Sequence, residues 1–161
     1  MSDAEEKDLP ELRKIYAECS YMEKLTGYKD DVEDPILAEF RGELLPPNGK
    51  KEFQRLQTII ESISGDTVGY LVLYHGYPDA KTFWIGLLSI RPTFQRKKFG
   101  QEVIGGLIKE IEKLGNYSQI GIGIGVGNDP AMKFWTSCGF TEIIKTKDHG
   151  THTDQWRVKR L

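Results

Sequence analysis

The sequence predicts a single α+β domain over residues 1–161, and three observations predict it. Residues 87–106, LLSIRPTFQRKKFGQEVIGG, pass from a strand-length apolar run through a basic turn into a helical pattern. Two apolar runs upstream, 53–63 and 68–74, meet across a short turn at Ser64-Gly65-Asp66-Thr67. Glycine then takes every second position from 121 to 127, which is the period of a strand. A chain of 161 residues is long enough for one sizeable core and hardly for two.

The chain opens with MSDAEEKDL, acidic and followed by no apolar run, so it does not read as a secretory leader. Residues 1–7 are expected to be a frayed tail. Leu9, Leu12, Ile15, Tyr16 and Cys19 recur at helical spacing and predict a helix from about Pro10 to Glu23, broken by Thr26-Gly27. Asp34-Pro35 is a cap and first-turn pair, because proline's missing N–H is one of the donors a helix start leaves unused. Ile36, Leu37, Phe40 and Leu44 continue that second helix until Leu45-Pro46-Pro47-Asn48-Gly49. Residues 53–63 fit a helix about as well as a strand, and the hairpin-type turn after them favours the strand. Val68–Tyr74 is its partner, and His75–Asp79 turns the chain into a third strand over 82–90.

Pro92 cannot donate to a sheet ladder and ends that strand. Arg91, Arg96, Lys97 and Lys98 follow with no acid among them. Gly100 opens a helix whose apolar face is Val103, Ile104, Leu107, Ile108, Ile111 and Leu114, stopped by Gly115-Asn116. A strand, a basic turn and a helix start together form an anion site, since the unused N–H groups there carry partial positive charge. A merely solvated basic turn is the alternative.

In the next strand Ile120, Ile122, Ile124 and Val126 line one face, and Gly121, Gly123, Gly125 and Gly127 leave the other bare. A bare face means close packing, by a helix backbone or by the arm of a ligand. The glycines do not have dinucleotide-fingerprint spacing. Asn128-Asp129-Pro130-Ala131 starts a short helix through Phe134, Trp135 and Cys138, stopped at Gly139-Phe140. Two β segments, about 141–147 and 152–159, flank a turn at Asp148-His149-Gly150.

Ile90-x-Pro92 followed by Gln95-Arg96-Lys97-Lys98-Phe99-Gly100 resembles the acetyl-CoA signature of the GNAT N-acetyltransferase superfamily, with Lys98 in place of its first glycine. Asn128-x-x-Ala131-x-x-Phe134-Trp135-x-x-x-Gly139-Phe140 resembles that family's C-terminal signature, with Trp135 in place of its tyrosine. The resemblance covers most of the chain after residue 8. It implies a mixed, mostly antiparallel central sheet flanked by helices, with a splayed strand pair holding acetyl-CoA. It also implies an enzyme that passes an acetyl group to a primary amine of a small molecule or an amino terminus. The coenzyme is expected at Leu88, Ile90, Gln95, Arg96, Lys97, Lys98, Phe99, Gly100, Gln101, Asn128, Ala131 and Trp135. Its pantetheine arm would lie between the strands ending at Ile90 and Val126.

For catalysis the resemblance implies the main-chain N–H of Ile90 as oxyanion donor. The strand 82–90 carries no carboxylate, so the base is Glu61, the acidic cluster Asp30, Asp31, Glu33 and Asp34, or a water relay. Trp135 occupies the place of the general acid. Its indole donates a hydrogen bond but has no usable proton-transfer pKa. Tyr28 and Tyr74 are substitutes that no spacing selects.

Residues 1–50 carry 13 acidic and 7 basic side chains and the remainder 11 and 15. That asymmetry favours a cationic acceptor by steering if the acidic cluster lines the acceptor site, with a fortuitous imbalance as an equal alternative. A net charge of −2 and one short basic patch give no case for nucleic acid. No apolar run approaches the roughly 20 residues of a membrane span. Cys19 and Cys138 are expected to stay reduced in the cytoplasm, each in a buried role. His75, His149 and His152 lack metal-site spacing, so no metal is expected. A homodimer is compatible with the sequence. The competing function is a coenzyme-A-binding sensor or interaction module with little catalysis.

Overall fold

A computed structural model describes residues 1–21 and 32–161. The expected helix end near Glu23, the Thr26-Gly27 break, Tyr28, Asp30 and Asp31 lie outside the described residues. The described strands form one seven-stranded sheet: β1 (Ser2–Asp3), β2 (Gln54–Ile60), β3 (Thr67–His75), β4 (Thr82–Ile90), β5 (Gln119–Gly125), β6 (Glu142–Asp148) and β7 (Thr153–Arg160). Their order is β1-β2-β3-β4-β5-β7-β6, antiparallel throughout except where β5 pairs with β4. Parallel neighbours need a long crossover, here helix α3 (Phe99–Leu114).

β3 is an inner strand between β2 and β4, with every residue from Val68 to Tyr74 buried. Alternation sends Leu71 and Leu73 to one face and Tyr70 and Val72 to the other. On the first face Ile104, Leu107 and Ile111 of α3 close a core with Ile120, Ile122 and Ile124, completed by α4 (Asp129–Ser137) through Trp135. On the second, Leu9, Leu12 and Ile15 of α1 (Leu9–Cys19) and Ile36 of α2 (Pro35–Arg41) cover Leu56, Tyr70 and Val72.

Four local expectations differ from what is observed. Ser2 and Asp3 are not frayed but pair with Thr58 and Gln57 of β2, because that outer edge was free to accept them. The second helix ends at Arg41 rather than Leu44. Gly42 takes the left-handed cap at φ 66° and returns its N–H to Ala38 and Glu39. β2 is shorter than 53–63, since Phe53 belongs to a 3-10 turn and residues after Ile60 form the hairpin connection. Glu61 therefore stands beyond the strand, in the turn.

Candidate active site

The site is built where β4 and β5 part. They pair only from Thr82–Gln119 to Ile85–Ile122, yet β4 runs on to Ile90 and β5 to Gly125. The cause lies on the opposite edge of β4. Against β3, Ile85 faces Leu73 and Leu87 faces Val72, leaving Gly86 as the extra residue of a bulge. A bulge bends its strand, and β4 turns away from β5 one residue after their last pair. The isolated glycine in an apolar strand was the available sign.

At the end of β4, Arg91 donates its N–H to the Val68 carbonyl of β3 at 2.8 Å. Strand alternation then aims the N–H groups of Leu88 and Ile90 away from β3, toward the gap. The Ile90 carbonyl accepts Gln95 Nε2 at 2.8 Å, with Cys19 Sγ at 3.5 Å, so Gln95 clamps the turn onto the strand. Gln95 also binds the Tyr21 hydroxyl. Burial raises the Cys19 thiol pKa, which fits a packing residue rather than a nucleophile.

The turn continues as a 3-10 segment, Pro92–Phe94, then Arg96 at φ 59° and Lys98 at φ 70°. Lys98 is the N-cap of α3 in the left-handed region, and no side chain caps this helix start. The residue that departs from the signature thus adopts the backbone a glycine would supply freely. Phe99, Gly100 and Gln101 present the first N–H groups of α3 beside the exposed Arg96, Lys97 and Lys98. A Cβ on Gly100 would meet the Phe134 ring of α4 at 3.1 Å and Leu88 at 3.8 Å, so three elements converge there.

Arg91 does not belong to this cationic set. Its guanidinium reaches Glu11 at 2.5 Å and Glu18 at 3.0 Å on α1, fastening that helix to the turn. The Arg91 hydrogen bond, then Lys14, holds the Glu11 carboxyl below its ordinary pKa.

In the second signature, Asn128 is buried and its Oδ1 caps Ala131 N–H at 3.1 Å. Trp135 lies in the core between Phe134 and Phe140, at ring separations of 5.0 and 5.1 Å. The Glu61 carboxylate accepts Ser64 N–H at 2.7 Å and Ile63 N–H at 3.2 Å, and these bonds lower its pKa. The Tyr74 hydroxyl takes Lys50 N–H at 2.7 Å. Asp34 caps Leu37 and pairs with Arg13 at 2.7 Å, while Glu33 is exposed. His75 is bonded to the Tyr117 hydroxyl at 2.8 Å and packs against Phe83.

At Gly121 and Gly123 the bare face of β5 meets aromatic side chains rather than a helix backbone. A Cβ on Gly121 would stand 2.5 Å from the Trp84 ring, and one on Gly123 3.7 Å from it and 4.0 Å from Trp156. Trp84, Trp156 and Tyr77 form a ring cluster there at 5.1–5.6 Å separations.

A model of the acetyltransferase (GNAT) family matches residues 9–140. No curated protein matches the sequence. Among solved structures the fold is similar to an acetyltransferase from Thermus thermophilus, at 21% identity and TM-score 0.73, over 99% of this chain and 95% of that one. It is similar to RimL, a ribosomal L7/L12 alpha-N-protein acetyltransferase in apo form, at 13% identity and TM-score 0.75, over 99% and 88%. A spermidine N-acetyltransferase chimera of Vibrio cholerae SpeG and hSSAT shares 17% identity at TM-score 0.68, over 99% and 95%. Among the described residues no helix is long and apolar enough to cross a membrane.

Proposed function

The chain belongs to the GNAT acetyltransferase family, and from that premise we propose that it binds acetyl-CoA across the β4–β5 gap and passes the acetyl group directly to a primary amine. The observation that carries this reading is the parting of β4 from β5 beside an uncapped, cationic helix start. In this reading the pyrophosphate meets the N–H groups of residues 96–101 and the Arg96, Lys97 and Lys98 side chains, the Gln95 N–H being donated to the Pro92 carbonyl. The pantetheine amides pair with the β4 backbone at Leu88 and Ile90, as a strand adds to an edge. Asn128 and Ala131 shape the facing end of α4.

The amine nitrogen attacks the thioester carbonyl, and the oxygen gathers negative charge opposite the Ile90 N–H. One preorganised donor of that kind contributes about 3 kcal/mol. Collapse breaks the carbon–sulfur bond and releases coenzyme A. A free amine near pKa ~10 is mostly protonated at neutral pH, so a proton must leave first. The Glu61 carboxylate is committed to its own turn and Asp34 to Leu37 and Arg13, and in this reading a water relay takes the proton. Trp135 is buried, so the thiolate departs without a partner acid, which a thiol of pKa ~8.5 permits. The acceptor is a small-molecule amine or an amino terminus, as the polyamine and alpha-N-protein substrates named for similar structures support.

Calorimetric titration with acetyl-CoA and coenzyme A, followed by thiol release over polyamines and peptide amino termini, tests the proposal. Binding with amine-dependent thiol release is expected. Binding without release would favour a coenzyme sensor, which the burial of Trp135 also fits. Absence of binding would refute the site.

A further inference from the structure

The hairpin joining β6 to β7 carries a second constellation. His149 Nε2 lies 3.2 Å from Asp154 Oδ2, and His152 Nε2 lies 3.9 Å from the same oxygen. One potential ligand atom from each residue lies within 4.8 Å of the others. From this we infer that His149, His152 and Asp154 form a binding site for one divalent transition-metal ion, zinc being the natural occupant.

Ligands bound at about 2.0–2.2 Å around a tetrahedral ion stand roughly 3.3 Å from one another. The two nitrogen–oxygen distances bracket that spacing. The imidazole rings are stacked, parallel to within 9° with centroids 4.4 Å apart, so binding one ion through both nitrogens requires the His149 ring to swing out of the stack about its side-chain bonds. Two imidazoles and a carboxylate suit zinc and its neighbours better than calcium or magnesium, which favour oxygen sets.

The hairpin backbone holds the three residues together before any ion arrives. His149 N–H donates to the His152 carbonyl at 2.8 Å, and Gly150, at φ 83°, donates its N–H to Asp148 Oδ1 at 2.8 Å. Thr151 Oγ1 stands 3.0 Å from His152 Nδ1, fixing that ring through its other nitrogen, as outer partners of metal-bound histidines do. The His149 and Asp154 side chains are each 29% exposed and His152 11%, so an ion could enter and keep a water in its fourth position.

The sequence concealed the site because His149-x-x-His152 is two ligands only. The third comes two residues later, on the far side of the turn. Asp154 is the register partner of Gly125 at the free end of β5. Directly opposed residues share a face, so the ion would sit on the glycine face, beyond the Trp84–Trp156 cluster and beside the mouth of the gap. This inference is independent of the transferase reading, and its readouts need no coenzyme.

The test is titration of the full-length protein, free of any affinity tag, with Zn²⁺ by calorimetry and with Co²⁺ by absorption. One ion per chain is expected, with the intense d–d bands of four-coordinate cobalt and a thermal midpoint that rises with metal. H149N/H152N and, separately, Asp154→Asn should each weaken Zn²⁺ binding at least tenfold while leaving the circular dichroism of the metal-free protein unchanged. No saturable binding would overturn the inference. Undiminished 1:1 binding in both variants would overturn it too, since the ion would then be held elsewhere.

Discussion

Lys98 offers the sharpest test of how the phosphate turn is built. Its φ of 70° places an L side chain in the left-handed region, at a cost of about 1–2 kcal/mol. Lys98→Gly removes that cost and restores about 0.4–1 kcal/mol of unfolded-chain entropy. The net gain is roughly 0.5–1 kcal/mol, which for a domain of this length is a rise in thermal midpoint of roughly 1–4 °C. Lys98→Ala keeps the strain and removes the charge, so it should unfold below Lys98→Gly by about the same interval. Binding separates a second quantity. If the ammonium meets a phosphate, both variants lose about 1.5–3 kcal/mol of affinity for coenzyme A, roughly 10- to 150-fold. If it is solvated, both lose less than about threefold. Differential scanning fluorimetry and calorimetry on the same three proteins decide it. A Lys98→Gly protein that melts below the parent would refute the left-handed turn and with it the reason this position tolerates lysine.

Other expectations follow from single contacts. Gly121→Ala should cost about 1–3 kcal/mol by crowding Trp84 at 2.5 Å, whereas Gly123→Ala, with 3.7 Å of room, should be neutral or slightly stabilising; paired denaturation curves check the contrast. Arg91→Met should cost about 1 kcal/mol near neutral pH, a figure kept low because Glu11 and Glu18 are 35% and 42% exposed. Because Arg91 depresses the Glu11 pKa, that contribution is present above the unfolded carboxyl's ~4.3 and disappears as pH falls through the lower folded value, so the two urea midpoints should converge in acid. With water removing the proton, kcat/KM should climb tenfold per pH unit toward the acceptor's own pKa. A plateau set well below that pKa would reveal a protein base.

The legible parts of this chain were those written locally. Pro92 closing β4, Asn128 capping α4 and Gly115 ending α3 each act through their own backbone, within a turn of where they stand in sequence. Lys98 was visible as a departure but not as a conformation, because a side chain's identity does not disclose its φ. Arg91 looked like one more cation, since its partners Glu11 and Glu18 stand on α1, separated from it in sequence by α2 and three strands. The glycine face of β5 was correctly read as a close approach. What approaches, the indoles of Trp84 and Trp156, depends on strand pairing that no local period reveals. Glu61 failed as a strand residue for a related reason: the hairpin connection begins at Glu61, three positions earlier than the turn at Ser64, and its carboxylate serves that connection.

The bulge at Gly86 gives this sheet an edge in its interior. An ordinary sheet edge recruits any strand that reaches it, which is why outer strands invite aggregation. Here the unsatisfied flank of β4 lies in a slot whose one side is narrowed where Gly100, Leu88 and Phe134 meet. This inner edge lies between the sheet's own strands rather than on its rim, and one unpaired glycine on the β3-facing edge of β4 is enough to create it.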